Sequence, residues 1–289
     1  MKPPPFRYHD PRTVSEVVDL IARLDYARLL AGGQSLMPML NMRFVLPDHV
    51  VDLNRVDGLA FIRDAGGTLS IGAMTRQRDL EVDDLVARRC PLLRAAIRQV
   101  GHRQTRNRGT IGGSLCHLDP AAELVAVAAT LDATIVTGRS RDPRRIAFAD
   151  FPRGYMTPAL EPDELVTAVE LPLWPAGHGH GFVELARRHG DFAIVSAAAL
   201  LALDERGRIA RAALALGGVA VAPLRMRALE QALVGQAPSA ELFAEVAGAC
   251  RAIDALEDVH APASYRRHVA AVLARRALTQ AHATVGRPA

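Results

Sequence analysis

The sequence feature that most restricts the fold is a pair of glycine motifs flanked by hydroxyl side chains. The first consists of Ala31, Gly32, Gly33, Gln34 and Ser35, and the second of Thr110, Ile111, Gly112, Gly113 and Ser114. Glycine lets the backbone turn with a positive φ, and its missing side chain lets a ligand approach the amides. Amides that lead into a helix also lie at the positive end of its dipole. The motifs predict two anion-binding loops, and an ordinary turn with a serine cap explains the first equally well.

Apolar periodicity places the first motif in a small βαβ unit. Thr13 and Glu16 form a capping box, and the apolar residues after them predict a helix over residues 13–24. A strand before Gly32, a short helix after Ser35 and a strand over residues 49–53 indicate parallel strands joined by helices. We place a border of this unit near Asp57.

The second motif belongs to a unit of short strands and helices. Helices are predicted over residues 75–87, 91–100 and 121–131, and Asp119 with Pro120 is typical of a helix start. Prolines and glycines between residues 172 and 181 are typical of a linker. Beyond it, the pattern predicts an antiparallel sheet over residues 182–216 and helices over residues 225–234, 240–255 and 262–281.

Composition excludes several classes of site. Lys2 is the single lysine among 35 basic residues, which excludes a phosphate-loop or Schiff-base lysine within the fold. The three cysteines, Cys90, Cys116 and Cys250, are far apart in sequence and cannot supply four thiolates to an iron–sulfur cluster or a structural zinc ion. We therefore expect no metal site on this chain.

Charge and hydropathy limit the partners. The net charge of +4 is small for 289 residues, and the arginines between residues 94 and 108 lack interleaved aromatic residues, so we expect no nucleic-acid partner. No stretch approaches the ~20 apolar residues of a membrane-spanning helix. The N-terminal segment, with three prolines after Lys2, is unlike a signal peptide, which predicts a cytoplasmic protein.

The two glycine motifs, their interval and the order of the surrounding segments resemble the FAD-binding medium subunit of molybdenum hydroxylases, the group that includes carbon monoxide dehydrogenase and xanthine dehydrogenase. The resemblance covers almost the whole chain, including residues 5–8, 71–75 and 187–193. It implies an α+β fold with an FAD-binding domain of the vanillyl-alcohol-oxidase/PCMH type over residues 1–175, in two subdomains of about 1–57 and 58–175. A C-terminal domain with a small antiparallel sheet and helices would follow over residues 176–289.

The same resemblance implies roles for individual residues. Both glycine motifs would wrap the FAD diphosphate, with Asp119 hydrogen-bonding nearby. Leu165 would pack against the cofactor, and Asp191 and Phe192 would lie near its isoalloxazine ring. Several relatives have a lysine before the double arginine that reaches the flavin, and this chain has Glu184 at the nearest position.

The function implied by the resemblance is that of an electron-transfer subunit. It would take electrons from [2Fe-2S] clusters on a small partner subunit and pass them through FAD to an external acceptor, while a large partner subunit carries the molybdopterin cofactor in a heterotrimer. No catalytic residue for the organic substrate is then expected here. Two alternatives stay open: a self-contained FAD oxidoreductase, and a scaffold subunit without flavin.

Overall fold

The computed structural model describes residues 1–139 and 143–287. The first unit is a three-stranded parallel sheet with two connecting helices. In chain order its elements are β1 (Arg7–His9), α1 (Val14–Arg23), β2 (Ala27–Leu30), α2 (Leu36–Asn41) and β3 (His49–Asp52). Strand β3 lies between β1 and β2, and both pairings are parallel. The predicted βαβ unit is confirmed; the sequence analysis missed β1, because three residues are too few to show a period.

The predicted capping box at the start of α1 is also confirmed. The Thr13 hydroxyl accepts the Glu16 amide at 3.2 Å, and the Glu16 carboxylate accepts the Thr13 amide at 3.3 Å. Val17 and Val18 on the inner side of α1 are buried. The cap fixes the start of the helix so that these two valines face the sheet.

The second unit is a five-stranded antiparallel sheet with six helices inserted between two of its strands. Its elements are β4 (Ile62–Asp64), β5 (Thr68–Gly72), α3 (Gln77–Val82), α4 (Asp84–Arg89), α5 (Pro91–Ile97), α6 (Arg103–Arg108), α7 (Ile111–His117), α8 (Glu123–Leu131), β6 (Thr134–Gly138), β7 (Arg145–Ala147), β8 (Pro152–Gly154), β9 (Thr157–Pro158) and β10 (Leu165–Pro172). The strand order is β4-β5-β10-β6-β7, and β8 and β9 form a separate hairpin.

The third unit is a four-stranded antiparallel sheet covered by a long helix. Its elements are β11 (Gly179–Leu185), β12 (Val195–Leu203), β13 (Ile209–Gly217), β14 (Leu224–Arg225), α9 (Arg227–Leu233), α10 (Ala240–Gly248) and α11 (Ala263–Thr284). Strand β11 approaches α11 so closely that a Cβ on Gly181 would lie only 2.2 Å from the Ala277 carbonyl oxygen. Two glycines of the predicted linker, Gly179 and Gly181, thus belong to β11.

Helix α8 joins the second and third units. All nine of its residues are buried, and Glu123 is the only charged one. It packs against β10 on one side and against β12 and β13 on the other. A helix that is apolar on every side has no face for solvent, so both sheets close over it and share one core.

Three predicted helices have different bounds. Residues 75–87 form two helices, because the extended backbone of Asp83 ends α3 and its carboxylate caps α4 by accepting the Val86 amide at 2.9 Å. Asp119 does not start α8: it accepts the Ala121 amide at 2.9 Å within a turn, and the helix begins at Glu123. Helix α10 ends at Gly248 and continues as a 3-10 turn over Ala249–Ala252.

Within the described parts of the chain, no helix combines the length and the apolar character that crossing a bilayer requires.

The buried side chain of Arg266 on α11 predicts a stability effect. Arg266 is 4% exposed, donates to the carbonyls of Ile194 and Gly218, and pairs with Asp258 at 2.7 Å. We expect Arg266→Ala to lower the free energy of unfolding by about 3 kcal/mol, because two backbone acceptors lose their donor. Urea denaturation measures this, with the exposed Arg276→Ala on the same helix as control, which should change stability by less than ~0.5 kcal/mol. Equal changes in the free energy of unfolding for Arg266→Ala and Arg276→Ala would contradict the stabilising role of the Arg266 hydrogen bonds.

Candidate functional site

A cavity of about 830 Å³ lies where the three units meet. Its walls come from the first glycine motif, the segment around the second motif, the start of β10 and the loop after β11. The volume falls in the upper part of the ~300–1,000 Å³ range of small-molecule and cofactor sites. The cavity therefore has room for an extended ligand that touches all three units.

The first glycine motif provides amides without protein partners. The backbone N–H groups of Gly32, Gly33, Gln34 and Ser35 donate to no residue that the structure describes, and all four residues line the cavity. Gly33 has φ +73°, a conformation that favours glycine. Ser35 does not cap α2, because its own backbone is helical and its side chain makes no cap hydrogen bond. Free amides beside a cavity are suitable donors to an anion.

The second glycine motif differs from the prediction, because all of its amides except that of Thr110 are hydrogen-bonded inside the fold. Ile111 donates to the Thr75 carbonyl at 3.2 Å and Gly112 to the Ala73 carbonyl at 2.8 Å. Gly113 donates to the Thr110 hydroxyl at 3.0 Å, which caps α7. The motif is the first turn of a helix held against the end of β5, so it offers side chains and Cα surfaces to the cavity.

Asn54 and Arg76 hold the two motifs together. The Asn54 amide group donates to the Ala31 carbonyl at 3.1 Å and accepts from Arg76. The same guanidinium donates to the Arg108 carbonyl, just before the second motif. A Cβ on Gly32 would lie 2.3 Å from that Arg108 oxygen, so the motifs touch where glycine allows close approach. Sequence analysis missed this link because it depends on residues far apart in the chain.

The other predicted site residues also lie at the cavity, with one exception. Asp119, Leu165, Asp191 and Phe192 line it together with both glycine motifs, whereas Ile111 is absent from the lining and its side chain is buried in the core. Leu165 is buried at the start of β10. Asp191 pairs with Arg188 at 3.2 Å, and Phe192 is 71% exposed at the rim.

Glu123 is a cavity residue that the sequence analysis left out of the site. It is 9% exposed and forms no ion pair among the described residues. Burial, together with the charge of Glu184 on β11, raises the pKa of Glu123 to about 8. Burial also raises the pKa of Glu184 to about 7. The available signal was a single acidic residue at the start of an otherwise apolar helix.

Cys116 and His117 line the cavity without charge. Burial raises the pKa of the Cys116 thiol to about 12, so the thiol stays protonated at neutral pH. Burial also lowers the pKa of His117 below its ordinary value, which favours the neutral imidazole. These two side chains add polar but uncharged surface to the cavity.

Contacts at Gly112 predict a local packing effect. A Cβ there would lie 2.6 Å from the Ala73 Cβ and 2.7 Å from its carbonyl oxygen. We expect Gly112→Ala to lower the free energy of unfolding by roughly 1–3 kcal/mol, because α7 must move away from β5. Gly248→Ala in α10, where a Cβ meets open space, is the matched control and should be neutral or slightly stabilising. Urea unfolding compares the two variants. An unchanged free energy of unfolding in Gly112→Ala would refute the close packing of α7 against the end of β5.

Comparison with known proteins matches this chain to two family models. The FAD binding domain in molybdopterin dehydrogenase matches residues 4–174, and the CO dehydrogenase flavoprotein C-terminal domain matches residues 180–281. The chain is 38% identical over 283 residues to the 6-hydroxypseudooxynicotine dehydrogenase complex subunit alpha of Paenarthrobacter nicotinovorans, covering 97% of this chain and 96% of the relative. It is 35% identical over 285 residues to the carbon monoxide dehydrogenase medium chain of Afipia carboxidovorans, covering 98% and 99%.

A solved structure supports the same assignment. A chain of carbon monoxide dehydrogenase from Hydrogenophaga pseudoflava superposes with a TM-score of 0.95 at 37% identity, covering 99% of this chain and 100% of that chain. The resemblance found in the sequence and the α+β fold class are confirmed. The chain belongs to the family of FAD-binding medium subunits of molybdenum hydroxylases and is a subunit of an oxidoreductase.

Proposed function

We propose that the cavity is the FAD site and that this chain carries electrons between a partner subunit and an external acceptor. The observation that supports this most strongly is the run of four amides, from Gly32 to Ser35, that lack protein partners beside a cavity of about 830 Å³. A diphosphate needs such donors, and the family model describes an FAD-binding domain.

The two glycine motifs would contribute to dinucleotide binding in different ways. The first motif supplies N–H donors to the diphosphate. The second motif contributes close approach at Gly112 and Gly113, together with the Ser114 hydroxyl, which has no partner among the described residues. Ile111 acts only through its backbone position and the packing of α7. When bound, FAD supplies the redox chemistry, and these residues hold it in place.

The remaining site residues have distinct proposed roles. Asp119 keeps a carboxylate oxygen for a cofactor hydroxyl, since its other oxygen accepts the Ala121 amide. Leu165 provides an apolar contact at the start of β10. Asp191 and Phe192 border the flavin ring from the third unit, where the Asp191–Arg188 pair stabilises the loop. These roles require both domains, which we assign to residues 1–175, divided near residue 57, and to residues 176–289.

The electron route requires partners. Relatives are named as a medium chain and as a subunit of a dehydrogenase complex. Cys90 is buried in the core against which Cys116 packs, whereas Cys250 is buried in a separate core, so the three cysteines do not lie at one cluster site. We therefore assign the [2Fe-2S] clusters to a small partner subunit and the molybdopterin cofactor to a large one, with electrons leaving through this chain's flavin.

Gly32 tests the cofactor site. We expect Gly32→Ala to weaken FAD binding about ten- to hundredfold, because a Cβ 2.3 Å from the Arg108 oxygen separates the two motifs. Gly181→Ala is the matched control: it creates a similar clash with the Ala277 carbonyl at 2.2 Å but lies against α11, away from the cavity. Flavin content and FAD titration of the folded variants measure the effect. Equal FAD loss in both variants would mean that instability, and not the site, is responsible.

Purification of the tagged chain from its native host tests the electron route. We expect iron, molybdenum and FAD to co-purify in a fixed ratio with two further polypeptides, because this chain lacks cluster ligands. The flavin should be reduced only through that complex. A chain that is isolated without iron or molybdenum, and whose flavin is reduced by an organic donor, would refute the route and establish a self-contained flavin enzyme.

A further inference from the structure

Among the described residues, the buried glutamates are paired with arginine, with one exception. Glu164 pairs with Arg144, and Glu230 pairs with Arg225. Glu123 is also buried, at 9% exposure, but has no arginine, lysine or side-chain hydrogen-bond partner among the described residues. An unpaired carboxylate is costly to bury, so the exception in a chain so rich in arginine requires a physical explanation.

Glu184 on β11 is partly buried and also has no side-chain partner among the described residues. One of its carboxylate oxygens is inaccessible to solvent and makes no hydrogen bond. Ser196 faces it across the β11–β12 pairing, and the Ser196 hydroxyl is buried and unpartnered as well. Gly217, opposite Ser196 on β13, leaves the space for this hydroxyl, because a Cβ there would lie 2.5 Å from it. A Cβ on Gly217 would also lie 3.4 Å from the Pro120 carbonyl oxygen and 3.5 Å from the Ala126 Cβ, so Glu184 and Ser196 adjoin the first turn of α8, where Glu123 lies.

Few charges act on this pocket. Asp119 adds a second negative charge near Glu123, and Arg106 opposes it, although its guanidinium is engaged with Glu81 at 2.9 Å. His117 at the end of α7 favours its neutral form. Five further charged side chains on neighbouring elements have partners elsewhere: Arg94 with the Glu81 carbonyl, Arg211 over the Trp174 ring, Arg225 with Glu230, Glu170 with Arg145, and Arg266 with Asp258. Helices α5 and α11 pack against β11, and Arg98 directly after α5 and Arg275 and Arg276 on α11 are exposed to solvent.

We propose that the Glu123 carboxyl is protonated at neutral pH and that Glu184 sets the pH at which it ionises, which makes Glu184 a positioning residue for the charge of the cavity wall. Two unpaired carboxylates that adjoin the same helix turn repel each other when both are ionised. Below the pH at which Glu123 ionises, its neutral carboxyl group can donate a hydrogen bond into the cavity. Above it, the proton leaves to solvent and a negative charge faces any bound group.

The consequence for the cofactor rests on the proposed FAD site. A negative charge on the wall opposes the arrival of electrons in the cavity, so the midpoint potential of a bound flavin should fall as the pair ionises. The charge state of the pair itself does not depend on FAD, and it is measurable on the chain alone.

Infrared spectroscopy of the full chain, labelled with carbon-13 on glutamate carboxyls, tests the charge state. We expect a protonated carboxyl band at pH 7 that disappears as the pH rises through about 8. Glu123→Gln should remove the component of this band that titrates near pH 8 and leave only the Glu184 component near pH 7. Glu184→Gln should move its midpoint roughly one pH unit lower, because a like charge is lost, while Glu184→Asp should largely keep the original midpoint. Glu257→Gln, at an exposed position, is the matched control and should change nothing.

Two results would overturn the proposal: no protonated glutamate at pH 7, or the same titration midpoint in Glu184→Gln and the original protein.

The midpoint potential of the flavin in the purified complex, followed against pH, tests the consequence for the cofactor. We expect an inflection near the infrared midpoint that moves with Glu184→Gln; a potential unaffected by Glu184→Gln would refute the control of the cavity wall. Absence of bound FAD would refute the proposed function and leave the infrared result valid.

Discussion

The burial of α8 between two sheets is the interaction on which the site depends. Because the helix is apolar all round apart from Glu123, it must be covered on both sides, and the third unit closes over it. Hydrogen bonds fix both ends of this contact. Gly218 donates to the Pro120 carbonyl at 2.7 Å before the helix, and Arg225 donates to the Ala129 carbonyl at 2.7 Å near its end. The loop with Asp191 and Phe192 is thereby held at the cavity.

The two glycine motifs look alike in sequence and serve different physical purposes. Gly33 uses the positive φ that favours glycine, and its motif leaves its amides unused. Gly112 has no such conformation; it is glycine because α7 packs directly on Ala73. The first motif can therefore supply donors, whereas the second supplies a rigid wall. The Asn54–Arg76 link keeps the donors and the wall at a fixed separation.

The features that the sequence predicted correctly are those whose signals lie close together in the chain. The capping box at Thr13, the apolar periods and the glycine motifs each lie within a few residues, and they identified most elements. All of the predicted site residues except Ile111 line the cavity. The missed features depend on tertiary contacts. The division of residues 75–87 into α3 and α4 follows from a cap at Asp83, and the use of the second motif's amides follows from the approach of β5. Glu123 was missed because its burial results from a sheet that comes later in the chain.

Acidic residues in the wall of a site oppose the binding of an anionic diphosphate unless they are neutralised. Four acidic residues line this cavity: Asp119 accepts the Ala121 amide, and the other three are neutralised in three ways. Glu164 is neutralised by Arg144, whose hydrogen bonds together with those from the Glu161 amide and Thr137 hold the pKa of Glu164 down to about 2 against the effect of burial. Asp191 is paired with Arg188 at the rim. Glu123 forms no ion pair among the described residues, and its burial near Glu184 favours its protonated form instead. Neutralisation by a proton is the only one of the three that changes between pH 7 and 9, so the charge of the wall beside Glu123 is the part of the site that solution conditions can alter.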